Sequence, residues 1–268
     1  MITSGPGRYL FGLLVAALFL FLLGPVLLVF PISFSADSFI GWPPSGWSVK
    51  WYVAMLNQPN LGLALRNSLI LAGIVTVLAL VIALPAAVAL SRGSFAGRDA
   101  IMAFLTAPLL LPTIVLGLAL LIIFVGQGLI GSWPGLILAH LLITVPYALR
   151  VLMTALGTLP ASVEEAAASL GASPLSVFFR ITLPLMTPGL VAAAAIVFLV
   201  SFDEVVITLF IVGPQLTTLP VALFHYVEAR TDPLVAAVSV MMVLFTLALV
   251  VVLERAIGLR RAIGGKGG

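Results

Sequence analysis

The sequence lacks cysteine altogether, and only 8% of its 268 residues carry a formal charge. Without cysteine there is no disulfide framework, no thiolate zinc site and no cysteine nucleophile. The shortage of charge excludes more, because soluble globular domains carry roughly 25% charged residues. With 62% hydrophobic residues and a mean hydropathy of +1.30, the chain cannot present an ordinary water-facing surface. A basic stripe is missing too: the 12 Lys and Arg residues are scattered, so the net charge of +3 does not point to nucleic acid. Nor is there a G-x-x-x-x-G-K-[ST] loop. The tail Gly264-Gly265-Lys266-Gly267 is glycine-rich but has neither the first glycine nor the hydroxyl residue. The chain by itself therefore cannot hydrolyse ATP.

What is present is a series of long apolar runs. A membrane-crossing helix needs roughly 20 apolar residues, and about six fit. Arg8 precedes a charge-free run from Tyr9 to Ala36, which is too long for a signal-peptide core and reads as a retained first span. Asn67 to Ser91 forms the second. The charge-free stretch from Ala100 to Leu149 is cut into spans three and four by the glycine-rich cluster Gly126 to Gly135. Spans five and six follow in Gly189 to Val212 and Leu234 to Leu253. The expectation is one all-α integral membrane domain over 1–268, with spans at about 10–34, 64–91, 99–125, 134–157, 187–212 and 233–256 and a polar loop at 158–186.

Sidedness follows from the basic residues, which accumulate in cytoplasmic loops. With the N-terminus inside, Arg8, Arg92, Arg98, Arg150, Arg180, Arg255, Arg260, Arg261 and Lys266 fall on the cytoplasmic side, and Lys50, Arg66 and Arg230 fall outside. Both termini are therefore expected in the cytoplasm. Trp42, Trp47, Trp51 and Trp133 then sit at outer edges, where an interfacial aromatic belt belongs.

The 158–186 loop carries its own signals. Ser162-Val163-Glu164-Glu165 has the S-x-x-E spacing of a capping box, so a helix is expected to start there. Gly171 stands where a left-handed C-cap is expected. Ser173-Pro174 marks a second start, with proline at the first helical position, and Pro184 is expected to interrupt that helix. Two short helices at an angle result. The first exposes small alanines and an acidic end, and is marginal by itself in water. It is either a connector lying on its own membrane domain or a piece built to dock elsewhere.

Acids within a span are costly, on the order of 2.5–3.5 kcal/mol by insertion scales, which makes Asp203 and Glu204 functional candidates. On a continuous helix they point about 100° apart. Carboxylates on a pathway attract a cationic solute; the alternatives are a gate, an inter-subunit hydrogen bond or an acid near the outer interface. His140 in span four bonds a neighbouring helix, lines the path or relays protons. Arg66, Asn67 and Ser68 open span two and are open to solute contact or to an ordinary polar helix start. Leu219 to Tyr226 is expected to form a short outer helix, either a gate or an interfacial element.

Glu165-Ala166-Ala167, three residues, Gly171, nine residues, then Ile181-x-Leu183-Pro184 resembles the EAA signature of permease subunits of type I ABC importers, and it stands between spans four and five as it does in that family. The resemblance implies a MetI-like permease fold in the bacterial inner membrane, with a cytoplasmic coupling helix from Glu165 to Gly171 seated in an ATPase subunit. Glu164, Glu165, Ala166, Ala167, Gly171, Ser173 and Pro174 are its implied coupling residues. Further segments are similar to the spermidine/putrescine-type, PotC-like branch: Ala64 to Ser68, Ala139-His140 with Val145-Pro146-Tyr147, and Ser201-Phe202-Asp203-Glu204-Val205-Val206 followed by Gly213-Pro214 and Leu219-Pro220. They imply Asp203, Glu204, Ser201, His140, Tyr147 and Asn67 as pathway candidates. The implied partners are a second permease of PotB-like type, two ATPase subunits that hold ATP and Mg2+, a periplasmic or lipid-anchored binding protein, and the bilayer. The solute is then a polyamine, or another small solute such as an amino-acid derivative or opine. Rival readings are a proton-coupled secondary transporter using Asp203, Glu204 and His140, and a non-transporting membrane scaffold.

Overall fold

The computed structural model describes residues 6–264, so Gly265, Lys266 and Gly267 of the tail and the sidedness count lie outside the described residues. The helices follow in the order α1 (Pro6–Ser33), α2 (Lys50–Leu56), α3 (Pro59–Arg92), α4 (Arg98–Thr106), α5 (Thr113–Val125), α6 (Trp133–Gly157), α7 (Ala161–Ser169), α8 (Pro174–Val177), α9 (Leu183–Leu185), α10 (Thr187–Phe202), α11 (Val206–Ile211), α12 (Leu219–Ala229) and α13 (Leu234–Gly264). Among the described residues, β-structure is confined to the isolated bridges Ser35 with Trp47 and Gly213 with Leu216. Four helices, α1, α3, α6 and α13, include stretches long and apolar enough to cross a membrane, and the number rises to six if each of two bent pairs counts as one span.

The chain divides into two compact units. One holds the residues up to Gly62 with Leu223–Phe245; the other holds Leu63–Ala222 with the chain from Thr246 on. In the first, the segment leaving α1 is turned by hydrogen bonds from Ala36 N–H to the Gly46 carbonyl (2.9 Å) and from Ser48 N–H to the Phe34 carbonyl (2.7 Å). Asp232 accepts from the Tyr226 hydroxyl (2.8 Å) and from Leu234 N–H (3.1 Å), which ties the end of α12 to the start of α13.

The second unit holds a core to which α3, α5, α6, α10 and α11 contribute. Along α3 the buried residues Leu71, Val75, Ala79, Ala83 and Ala87 recur every four residues, while Ile70, Val77, Leu78, Val81 and Ile82 are exposed. Both sides are apolar and differ most in size: at Ala79, Ala83 and Ala87 the buried side is alanine, and such small side chains let backbones approach, as membrane helices favour. α6 and α10 approach closely, and a Cβ added to Gly189 would overlap the Cβ of Ala155.

One expected helix is broken, and another continues where a break is expected. Span three bends by 101° between the Arg98–Leu110 and Thr113–Val125 segments. Leu111 precedes Pro112 and takes φ −96°, ψ 140°, the extended backbone that a following proline imposes. Pro184 does not end its helix as expected. The chain runs through α8, a π turn at Phe178–Thr182 and α9, and breaks only at Met186, bending 69° into α10. Proline lacks an N–H and crowds the carbonyl four residues back, here Arg180, and the wider π turn absorbs that conflict.

Gly189→Val should therefore force α6 and α10 apart and lower stability by about 1–3 kcal/mol. Thermal unfolding of the detergent-purified protein measures this, and Ala155→Gly in the same chain should recover part of the loss. An unchanged midpoint would contradict the close approach.

Candidate functional site

Two places concentrate polar side chains in a chain poor in them: the loop from Ala161 to Leu185 and the break after α10. The first helix of the loop, α7, begins at Ala161, one residue after Pro160, and no side chain caps it. The expected capping box is not formed. Pro160 cannot donate an N–H, and its carbonyl already accepts from Val163 N–H at 3.2 Å, so the turn closes early and Ser162 lies inside the helix. The C-terminal signal holds. Gly171 has φ +85°, its N–H reaches the Ala168 carbonyl at 2.9 Å, and Ala172 N–H reaches the Ala167 carbonyl at 3.1 Å. This paired closure needs a left-handed residue, which glycine supplies without steric cost. Ser173 then caps α8, its hydroxyl accepting from Ser176 N–H at 3.3 Å with Pro174 at the first position.

Glu164 and Glu165 are neighbours with different surroundings. Glu164 pairs with Arg92 at the end of α3 (2.8 Å) and accepts from the Thr182 hydroxyl (2.7 Å). Glu165 and Ala166 are exposed and Ala167 is half-buried. Around them lie exposed apolar side chains, with Leu170 90% and Leu175 71% accessible. The sequence pattern singled out the acids and alanines and not these leucines, because a leucine beside a helix end looks the same whether it packs or protrudes.

The second place is the break in span five. Asp203 ends α10, Glu204 and Val205 are non-helical, and α11 starts at Val206. Asp203 and Glu204 thus do not share a continuous helix, and the expected 100° separation does not apply. Asp203 is exposed and Glu204 half-buried. The Glu204 carboxylate accepts from Ile207 N–H (2.8 Å), satisfying one of the free donors that open α11.

His140 closes the break from the side. Completely buried, it places Nδ1 2.9 Å from the Ser201 hydroxyl at the end of α10 and Nε2 2.9 Å from the Thr208 hydroxyl in α11. Thr208 donates to the Glu204 carbonyl (3.0 Å). The donors and acceptors balance with a neutral ring: Ser201 donates to Nδ1, and Nε2–H donates to Thr208. His140 and Ser201 are brought together, and one imidazole spans both sides of the interrupted helix.

The other pathway candidates lie elsewhere. The Asn67 amide donates to the Thr217 carbonyl (3.0 Å), and the Ser68 hydroxyl accepts from Leu219 N–H (2.8 Å). These two residues anchor the start of α12. Tyr147 is exposed at 39%. One turn further on, Arg150, Thr154 and Thr158 face a cleft of about 520 Å³ between α6 and the start of α10. Among the described residues no group of acids and histidines could hold a metal ion.

Removing the imidazole leaves two buried hydroxyls without their partner. His140→Ala should cost on the order of 1–3 kcal/mol, read as a lowered thermal midpoint in detergent, whereas a midpoint equal to that of the parent would contradict the bridge.

Residues 76–259 match the family described as binding-protein-dependent transport system inner membrane component. The chain is 36% identical over 229 residues to the putrescine transport system permease protein PotI of Escherichia coli (strain K12), covering 82% of this chain and 81% of that one. It is 31% identical over 264 residues to the spermidine/putrescine transport system permease protein PotC of Shigella flexneri, covering 98% of each. Its fold is similar, with a TM-score of 0.70 at 15% identity over 96% of this chain and 95% of the other, to a chain in the crystal structure of a bacterial alginate ABC transporter in complex with an alginate pentasaccharide-bound periplasmic protein. The chain belongs to the binding-protein-dependent transport system inner membrane component family and is a transmembrane permease subunit of an ABC importer.

Proposed function

We propose that this permease imports a small polyamine, putrescine or spermidine, in the bacterial inner membrane. The observation that carries the substrate class is the similarity to PotI and PotC along most of the chain. The exposed Asp203 carboxylate at an interrupted span supports it, since a fixed negative charge attracts a diamine and costs too much in a span to be kept without use. In this reading Asp203 lines the path, while His140, Ser201 and Glu204 hold the backbone that presents it. Asn67 and Tyr147 flank the route.

The chain has six spans, with both termini in the cytoplasm as the nine-to-three distribution of basic residues favours. It pairs with a second, PotB-like permease and with two ATPase subunits that bind ATP and Mg2+. A periplasmic or lipid-anchored binding protein delivers the solute. Docking to the ATPase uses the exposed side of α7, with Glu165, Ala166 and Leu170. A proton-coupled secondary transporter is disfavoured by the match to the permease family of binding-protein-dependent transport systems.

In a strain without other polyamine uptake, expressing this permease with its partner subunits, Asp203→Asn should lower labelled putrescine uptake about tenfold, equivalent to ~1.4 kcal/mol of lost interaction. Unchanged uptake would remove Asp203 from the path. Gly171→Val cannot follow the left-handed turn; it should abolish ATPase co-purification and uptake while the protein remains in the membrane. Full uptake by this variant would contradict docking through α7.

A further inference from the structure

The pair of acids at the start of the coupling loop has a division of roles that the EAA resemblance does not supply. Arg92 lies in the last turn of α3. Its Nε meets Glu164 Oε2 at 2.8 Å, and its Nη2 donates to the Leu159 carbonyl, just before α7, at 3.1 Å. The other carboxylate oxygen of Glu164 accepts from Thr182 in the π turn at 2.7 Å. One carboxylate thus joins α3, α7 and the turn leading to α10. The two charged side chains are only 26% and 20% exposed, so solvent screens the pair less than a surface ion pair.

The surroundings make this bridge matter. A cleft of about 330 Å³ lies there, with Arg92, Glu164, Glu165, Ala168, Val177 and Thr182 on its walls. Across that gap α7 is held to the end of α3 by hydrogen bonds and charge instead of by close-packed side chains. Both charges also suit their helices: Glu164 is in the first turn of α7 and Arg92 in the last turn of α3, where the helix dipoles favour them. A movement imposed on the exposed side of α7 therefore reaches α3 through Arg92 and reaches α10 through Thr182.

We infer that Glu164, clamped between Arg92 and Thr182, is the positioning residue that carries motion of α7 into the membrane helices, while its neighbour Glu165 is exposed on the wall of the same cleft. The inference rests on the importer reading above. In this reading Arg92 and Thr182 act through Glu164. Their loss is a loss of transmission, which separates it from a loss of docking.

The test uses the complete complex of permeases, ATPase and binding protein in proteoliposomes, comparing putrescine uptake with ATP hydrolysis. Arg92→Glu should leave the ATPase bound and hydrolysing, and lower uptake per ATP at least tenfold. Thr182→Val should lower the same ratio more modestly. The double variant Arg92→Glu with Glu164→Arg restores opposite charges across the gap and should recover most of the ratio. Arg92→Lys, which keeps the charge without the forked geometry, should fall between. A normal ratio in Arg92→Glu, or loss of ATPase binding that the double variant does not recover, overturns the inference. A parent complex without ATP-driven uptake overturns the importer reading and the inference with it; variants of an active complex decide the inference by itself.

Discussion

A chain that lives in hydrocarbon has no water with which to satisfy an interrupted helix, so every break must be closed from within. That constraint governs the fold around Leu63–Ala222. At Leu111–Pro112 and around Pro184 the proline removes a donor that needs no partner, and the backbone bends or widens into a π turn. At Asp203–Val205 there is no proline, and the break is closed by side chains: Glu204 caps Ile207, Thr208 holds the Glu204 carbonyl, and His140 bridges Ser201 to Thr208. Because that closure holds, α11 leaves the line of α10 and packs against α5, where the Phe210 ring fills the space over Gly117. Asp203 is left free at the surface of the break.

The same economy of polar groups separates neighbouring acids. Glu204 is half-buried and caps a backbone N–H while Asp203 is exposed; Glu164 is half-buried and ion-paired while Glu165 is exposed. In each pair one carboxylate holds the local structure and the other is available to a partner of opposite charge. In the proposed reading the first pair serves the solute and the second serves the ATPase. The bonded member fixes where the exposed one stands, and this is why pairs occur at two places in a chain with so few charges.

Much of the fold was legible. The apolar runs located α1, α3 and α6 to within about five residues of their ends, because length and hydropathy need no tertiary context, whereas α13 runs eight residues past the expected end at 256. Gly171 and Ser173-Pro174 were legible because left-handed closure and proline-first starts are local chemistry. The bend at Leu111–Pro112 was readable from its proline and was missed because the apolar run around it is unbroken. The failed capping box at Ser162 was decided by Pro160, two residues upstream of Ser162. Other features left no local trace. His140 reads as a lone polar residue until Ser201 and Thr208, 61 and 68 positions away, are placed beside it. The Arg92–Glu164 pair joins residues on separate helices, and the inward face of α3 is written in side-chain size, which hydropathy does not register.

The account stands or falls on energy coming from ATP on a partner and substrate arriving on a binding protein. The most direct measurement is putrescine accumulation in proteoliposomes that contain the two permeases and the ATPase, with binding protein supplied on the outside. Accumulation that requires ATP inside and binding protein outside, and that persists when the proton gradient is collapsed, is the expected result. Accumulation that follows an imposed proton gradient without ATP would contradict it.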